Sequence, residues 1–197
     1  MHAPEEETVT DRKKTMRAEA LRNRGLLHLS AEDVENISTN FFQHITINEN
    51  TIVAGYWPKG RELDVRHLMD DIIAKGATCA LPVVEEGTRQ MKFAFWNEST
   101  TLTTGKYEVC HPEINENTKW LEPDIFLVPL LAFDRRGMRL GFGGGYYDTT
   151  LAHYRKIKDI TAVGIAYAEQ ACLFNLPSEE HDQALDWVIT PQAAHSY

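Results

Sequence analysis

Residues 51–84 read TIVAGYWPKGRELDVRHLMDDIIAKGATCALPVV. Thr51 to Trp57 is rich in β-branched and aromatic residues, the composition of a buried strand. Pro58, Lys59 and Gly60 break it. Asp64 is placed to cap a helix, in which Val65, Leu68, Met69, Ile72 and Ile73 recur as an apolar stripe at helical spacing. Gly76 follows Lys75, where a helix-ending glycine belongs, and Ala77 to Val84 reads as a second strand. Strand, helix, strand with apolar strands predicts an α/β fold: an open, mostly parallel or mixed sheet with helices on both faces, a Rossmann-like three-layer sandwich. In such sheets ligands bind beyond the carboxyl ends of the strands.

Working outward, residues 10–28 make a helix carrying Lys13, Lys14, Arg17, Arg22 and Arg24. Ser30, with Asp33 three positions on, opens a second helix to about Ile45. Met91 to Trp96 is a shorter strand, Glu113 to Lys119 a polar loop, and Asp124 to Pro129 a further strand. A helix follows from about Tyr146 to Tyr154, and Thr161 to Ala166 and Trp187 to Thr190 are the last strands. Residues 1–9 are polar and acidic and are expected to be disordered. Residues 10–197 are expected to form a single domain.

The chain has 197 residues, enough for one sizeable core. Its net charge of −9 argues against general nucleic-acid binding and leaves room only for a local basic site. The three cysteines, Cys79, Cys110 and Cys172, lack metal-like spacing and suit free thiols in the cytoplasm. No apolar run is long enough to span a bilayer, and the first residues, MHAPEEETVTDRKK, carry no apolar h-region, so no signal peptide is expected. A monomer acting on small molecules is expected.

The strand at Asp124–Pro129 leads into FDRRGMRLGFGGGYYD, residues 133–148. Gly137, Gly141, Gly143, Gly144 and Gly145 permit tight bends and close backbone approach to a ligand. Successive N–H groups there can form a nest for phosphate oxygens, and a helix opening at Tyr146 aims its dipole at the same place. The loop lacks the Gly-Lys-Ser/Thr ending of a P-loop, and Tyr146 stands where a dinucleotide fingerprint needs its third glycine. On spacing alone it reads equally as a phosphate nest or a plain turn. Arg139, between turn glycines, is the arginine best placed for phosphate, since its fork bonds two oxygens at once. Asp148, in the first helical turn, suits either Mg²⁺ or the helix dipole. Lys13 and Arg17 are four apart and share a helix face, as a phosphate grip or as a solvated surface.

The segment Leu127–Asp134, followed by Gly137–Asp148, closely resembles the hallmark of the 5-formyltetrahydrofolate cyclo-ligase (methenyltetrahydrofolate synthetase) family. Lys13 and Arg17, Glu62, Tyr107 and Pro112, and His181, Asp182 and Asp186 agree in order along the chain. The resemblance implies an enzyme that closes 5-formyltetrahydrofolate to 5,10-methenyltetrahydrofolate with ATP and Mg²⁺, releasing ADP and phosphate through a phosphorylated formyl group. It implies ATP binding by Lys13, Arg17, Arg139, Leu140, Gly141, Phe142, Gly143, Gly144, Gly145 and Tyr146. Arg139 and Tyr147 become the catalytic residues, and Asp148 and Asp182 the metal ligands. Substrate contacts fall to Trp57, Glu62, Tyr107 and Tyr147, with Glu62 accepting pterin N–H groups and the aromatics forming flat walls. Where part of the family has basic residues between the glycines, this chain has Phe142 and Gly144. That shifts phosphate neutralisation onto Lys13, Arg17, Arg139 and the metal. The competing readings are a non-catalytic folate or nucleotide binder and a sugar-phosphate enzyme on a similar sheet.

Overall fold

The computed structural model describes residues 7–105 and 108–197. The first helix, α1, runs Val9–Arg24 with Thr8 as its N-cap, the Thr8 side chain accepting from the Asp11 amide at 3.1 Å. Most of the segment expected to be disordered, residues 1–6, lies outside the described residues. The second helix, α2 (Ala31–His44), opens with a reciprocal capping box between Ser30 and Asp33, as the sequence spacing implies.

The centre of the fold is β1 (Ile52–Ala54), α3 (Arg66–Ala74) and β2 (Thr78–Val83). Asp64 differs from its expected part. Val65 is the α3 N-cap and no side chain caps the helix. Asp64 instead folds onto Arg66, accepting from its amide at 3.0 Å and from its guanidinium.

Beyond these lie β3 (Lys92–Trp96), β6 (Trp120–Leu121), β7 (Ile125–Val128), β10 (Thr161–Ile165), β11 (Trp187–Ile189) and β12 (Ala194–Ser196). They join β1 and β2 in an eight-stranded sheet of order β12-β11-β10-β7-β1-β2-β3-β6. The five central strands are parallel, and β3, β6 and β12 add antiparallel edges. Two hairpins stand apart: β4 (Leu102–Thr104) with β5 (Cys110–Pro112), and β8 (Ala132–Phe133) with β9 (Arg139–Leu140).

Alternation along the strands divides the core. Val53, Cys79, Leu81, Ile125 and Leu127 face α2 and α3, where Ile37, Phe41, Leu68, Met69 and Ile72 are buried. Ala54, Ala80, Phe126, Val128 and Ala162 face the opposite way, onto Leu151 and Tyr154 of α4 (Tyr146–Ile157). Each fully buried Leu, Ile or Phe contributes about 1.5–3 kcal/mol. The result is the three-layer α/β sandwich that the strand and helix patterns imply. No helix among the described residues is long and apolar enough to cross a membrane.

Two features position the site. From β1 the chain moves through α3 to β2 on one side, and from β7 through α4 to β10 on the other. The order therefore reverses between β1 and β7, which pair directly. The carboxyl ends of strands at such a reversal leave a crevice between diverging connections. Helix α1 lies over this edge, with Met16 and Ala20 packed on Ala132, Leu140 and Leu176. It also turns charge inward: Lys13 and Arg24 are its buried residues.

Candidate active site

A cavity of about 680 Å³ opens at the reversal point, within the size range of small-molecule sites. Its walls come from α1, the loop after β1, the glycine loop and the start of α4. Every site residue expected from the sequence lines it except Tyr107. Tyr107 lies outside the described residues.

The glycine loop owes its shape to backbone that side chains disfavour. Gly143 and Gly145 take φ of +92° and +71°, and Gly145 is the left-handed N-cap of α4, with no side-chain cap. A Cβ on Gly143 would come within 3.0 Å of Arg17 Cζ. Arg17 in turn donates from Nε to the Gly141 carbonyl at 2.9 Å, pinning α1 to the loop. No backbone carbonyl among the described residues accepts a hydrogen bond from the amides of residues 141–145. Free amides beside an uncapped helix N-terminus attract anionic oxygen.

Two carboxylates sit at this end, each held by a cation. Asp148 Oδ1 accepts from Arg139 Nη2 at 2.8 Å and from the Gln183 amide at 2.9 Å. That second bond ties Asp148 to the residue next to Asp182. Asp182 Oδ2 accepts from Lys13 Nζ and from the Glu179 amide. Burial is the largest influence on the Asp182 carboxyl and would raise it, but the bonds from Lys13 and the Glu179 amide, with the charges of Lys13 and His181, together outweigh it and hold the group below the ordinary range. For Lys13, burial would lower the ammonium, and the bonds to Asp182 and Glu179 outweigh it and raise it. Asp148 Oδ2 and Asp182 Oδ1 carry no hydrogen bond among the described residues. Asp182 Oδ1 faces the His181 Nε2 at 3.9 Å. Carboxylate oxygens without hydrogen bonds suit Mg²⁺, a hard cation that takes one or two carboxylates and completes its shell with water and phosphate.

The other end of the cavity is drier. Glu62 Oε2 accepts from the Lys59 amide at 2.7 Å. Burial nonetheless lifts its carboxyl above the usual range, against that bond and the field of Arg24. The Tyr147 hydroxyl is buried without a hydrogen-bond partner among the described residues, and burial raises it strongly. Trp57 lies beneath Arg66, whose guanidinium is 5.1 Å from the ring, and its edge meets Trp96. Tyr56, Pro82, Val84, Met91 and Pro129 complete the apolar lining.

Sequence reasoning missed Arg24. Lys13, Arg17 and Arg24 fall four and then seven positions apart, which is one helix face. That spacing was the available signal, masked because an arginine in a last helical turn also complements the dipole. Arg136, in the turn between β8 and β9, pairs with buried Asp134 at 2.7 Å and donates to the Leu176 carbonyl. Asp134 also accepts from the Arg136, Met138 and Leu176 amides, so it braces the β8–β9 hairpin. Asp186 has a structural place too, accepting from the Ala162 amide and Arg155.

A ligand crevice at the point where strand order reverses defines a doubly wound α/β protein built around a small-molecule site. Comparison with known proteins narrows this further. The sequence profile of the 5-formyltetrahydrofolate cyclo-ligase family matches residues 9–191, and the chain belongs to that family. A Mycolicibacterium smegmatis protein named 5-formyltetrahydrofolate cyclo-ligase is 30% identical over 190 residues, covering 91% of this chain and 94% of its own length. A Haemophilus influenzae protein of the same name is 33% identical over 136 residues, 68% of this chain and 72% of that one. The solved structure of Aquifex aeolicus 5,10-methenyltetrahydrofolate synthetase superposes with a TM-score of 0.73 at 25% identity, covering 93% of this chain and 92% of that one.

Proposed function

We propose that the protein catalyses the ATP- and Mg²⁺-dependent closure of 5-formyltetrahydrofolate to 5,10-methenyltetrahydrofolate, releasing ADP and phosphate. Family membership supports the reaction. The observation that carries the assignment of parts is the pairing of free loop amides with Lys13, Arg17 and Arg139 at one end of the cavity and Glu62 with apolar walls at the other.

The chemistry follows from the leaving group. A formyl oxygen leaves poorly as hydroxide, so it first attacks the γ-phosphorus of ATP and the bond to ADP breaks. The formyl carbon then carries a phosphate ester, N10 attacks it and loses its proton, and inorganic phosphate departs with the carbon–oxygen bond. Little covalent work remains for the protein, which positions the reactants and stabilises charge. The amides of residues 141–145 and Tyr146 cradle the phosphates, with Leu140 and Phe142 shaping the loop. Lys13 and Arg17 grip the chain from α1, and Arg139 meets the charge that develops on the transferred group. Asp148 and Asp182 would hold Mg²⁺ through their unbonded oxygens, and the ion would neutralise phosphate charge. Glu62 accepts ring N–H groups of the reduced pterin, while Trp57 and Tyr147 flank the ring, with the Tyr147 hydroxyl turned to the reacting formyl group. The reading is of a monomer working in the cytoplasm, where the free thiols of Cys79, Cys110 and Cys172 are at home.

The test mixes purified protein with 5-formyltetrahydrofolate, ATP and Mg²⁺ and follows the near-ultraviolet methenyl band. The band is expected to grow in proportion to enzyme. A flat trace from folded protein would reject the reading, and folate binding without ATP hydrolysis would favour a binder instead.

A further inference from the structure

Arg24 ends α1 and is 4% exposed. Its Nε and Nη1 are buried and have no hydrogen-bond partner among the described residues. The other arginines tucked around this end of the sheet are paired: Arg139 with Asp148, Arg155 with Asp186 and Arg136 with Asp134. Arg24 has instead the face of Phe142, 5.1 Å from its guanidinium carbon. A buried cation with unmade hydrogen bonds destabilises a fold unless something else repays its lost water. Burial accordingly lowers the Arg24 pKa, against the opposing fields of Glu62, Tyr56 and Tyr167.

Those neighbours locate Arg24 in the cavity. It stands between the two ends, on the ring of Phe142 and within the field of Glu62, whereas Lys13, Arg17 and Arg139 are engaged at the phosphate end by Asp182, the Gly141 carbonyl and Asp148. Glu62 feels the charge of Arg24 yet forms no hydrogen bond with it. An acceptor and a donor therefore line one cavity, electrostatically aware of each other and not joined. A flat ligand with N–H groups on one edge and oxygens on another fills that gap. Reduced pterins have this pattern, and in the formylated substrate the C4 carbonyl and the N5-formyl oxygen lie side by side. The hydrated carboxylates of the glutamate tail fit less well, because Arg24 is shut away from solvent.

We propose that Arg24 is a substrate-binding residue whose unpartnered N–H groups donate to the oxygen-bearing edge of the 5-formylpterin, opposite the edge taken by Glu62. This rests on the cyclo-ligase reading above and adds the residue that selects a formylated, carbonyl-bearing ring.

The experiment compares wild type with Arg24→Met and Arg24→Lys. Calorimetry measures binding of 5-formyltetrahydrofolate without nucleotide, and separately of a non-hydrolysable ATP analogue with Mg²⁺. Thermal melts are taken without ligand. Arg24→Met is expected to weaken folate binding by roughly 10- to 100-fold, the effect of removing hydrogen bonds from a charged donor. Nucleotide affinity stays unchanged, Arg24→Lys recovers part of the loss, and the ligand-free melting temperature of Arg24→Met rises because an unpaired buried charge is gone. A merely structural arginine gives the opposite: a lower melting temperature and parallel loss of both ligands. Equal folate affinity in wild type and Arg24→Met sinks this inference alone. Failure of wild type to bind 5-formyltetrahydrofolate at all overturns it together with the cyclo-ligase reading.

Discussion

Replacing Gly143 by alanine perturbs the glycine loop at its most constrained point. The residue sits at φ +92°, a backbone conformation that a Cβ resists by about 1–2 kcal/mol. The new methyl would also stand 3.0 Å from Arg17 Cζ and 3.3 Å from Arg17 Nε. Relieving that contact displaces the guanidinium and endangers its 2.9 Å bond to the Gly141 carbonyl. A charged hydrogen bond of this kind is worth about 1.5–3 kcal/mol. The backbone term acts on the fold and should lower the melting temperature by roughly 2–8 °C for a chain of this size. The Arg17 term acts on nucleotide binding and should raise the KM for ATP roughly 10- to 150-fold, with the KM for folate little changed. Gly141→Ala is the control: its φ is not positive, and a Cβ there meets nothing within 4 Å. Steady-state kinetics with each substrate varied in turn, beside a thermal melt, separate the two effects. If Gly143→Ala matches wild type in ATP KM and in melting temperature, the loop is not held as described and the reasoning fails.

Three further changes probe other parts. Asp148→Asn removes an unbonded carboxylate oxygen and the charge facing Arg139, so turnover should fall on the order of 100-fold and need more Mg²⁺; a magnesium titration of the rate checks this, and an unchanged dependence removes Asp148 from the site. Glu62 has its carboxyl raised above 4.5 by burial, so folate affinity should decline as pH drops through that raised value, and Glu62→Gln should flatten this acid limb while weakening binding at neutral pH. Asp134→Ala unpicks the brace of the β8–β9 hairpin and should cost about 3 kcal/mol in a urea melt. Burial pushes the Asp134 carboxyl up, but the Arg136 and amide bonds outweigh that and hold it below its ordinary 3.8. Its stabilisation is therefore present above that value and lost as pH falls through the folded pKa.

The legible parts of the fold were those whose signal is local. The β-branched run of β1, the apolar stripe of α3 and the capping box of α2 each declare themselves within one segment. The hairpins β4–β5 and β8–β9 and the edge strands β6 and β12 span two or three residues apiece and give no periodicity to read. They exist because tertiary partners fix them, as Asp134 does by drawing the Leu176 amide to the hairpin. The site divides the same way. The glycine loop and the Lys13–Arg17 pair lie in short motifs. The clamps on Asp148 and Asp182 join residues far apart in sequence, so the two carboxylates read as bare metal ligands when each also meets a cation. Arg24 was hidden for a different reason: nothing in its neighbours distinguishes an arginine that ends a helix in water from one that ends it inside a cavity.

The most direct trial of the phosphate cradle is an amide NMR titration of ¹⁵N-labelled protein with a magnesium-bound, non-hydrolysable ATP analogue. The glycine amides at 141, 143, 144 and 145 should show the largest shifts and saturate together with the Arg17 side-chain Nε resonance. If those amides stay in place while saturation is reported from another part of the molecule, nucleotide binds elsewhere and the assignment of the loop is wrong.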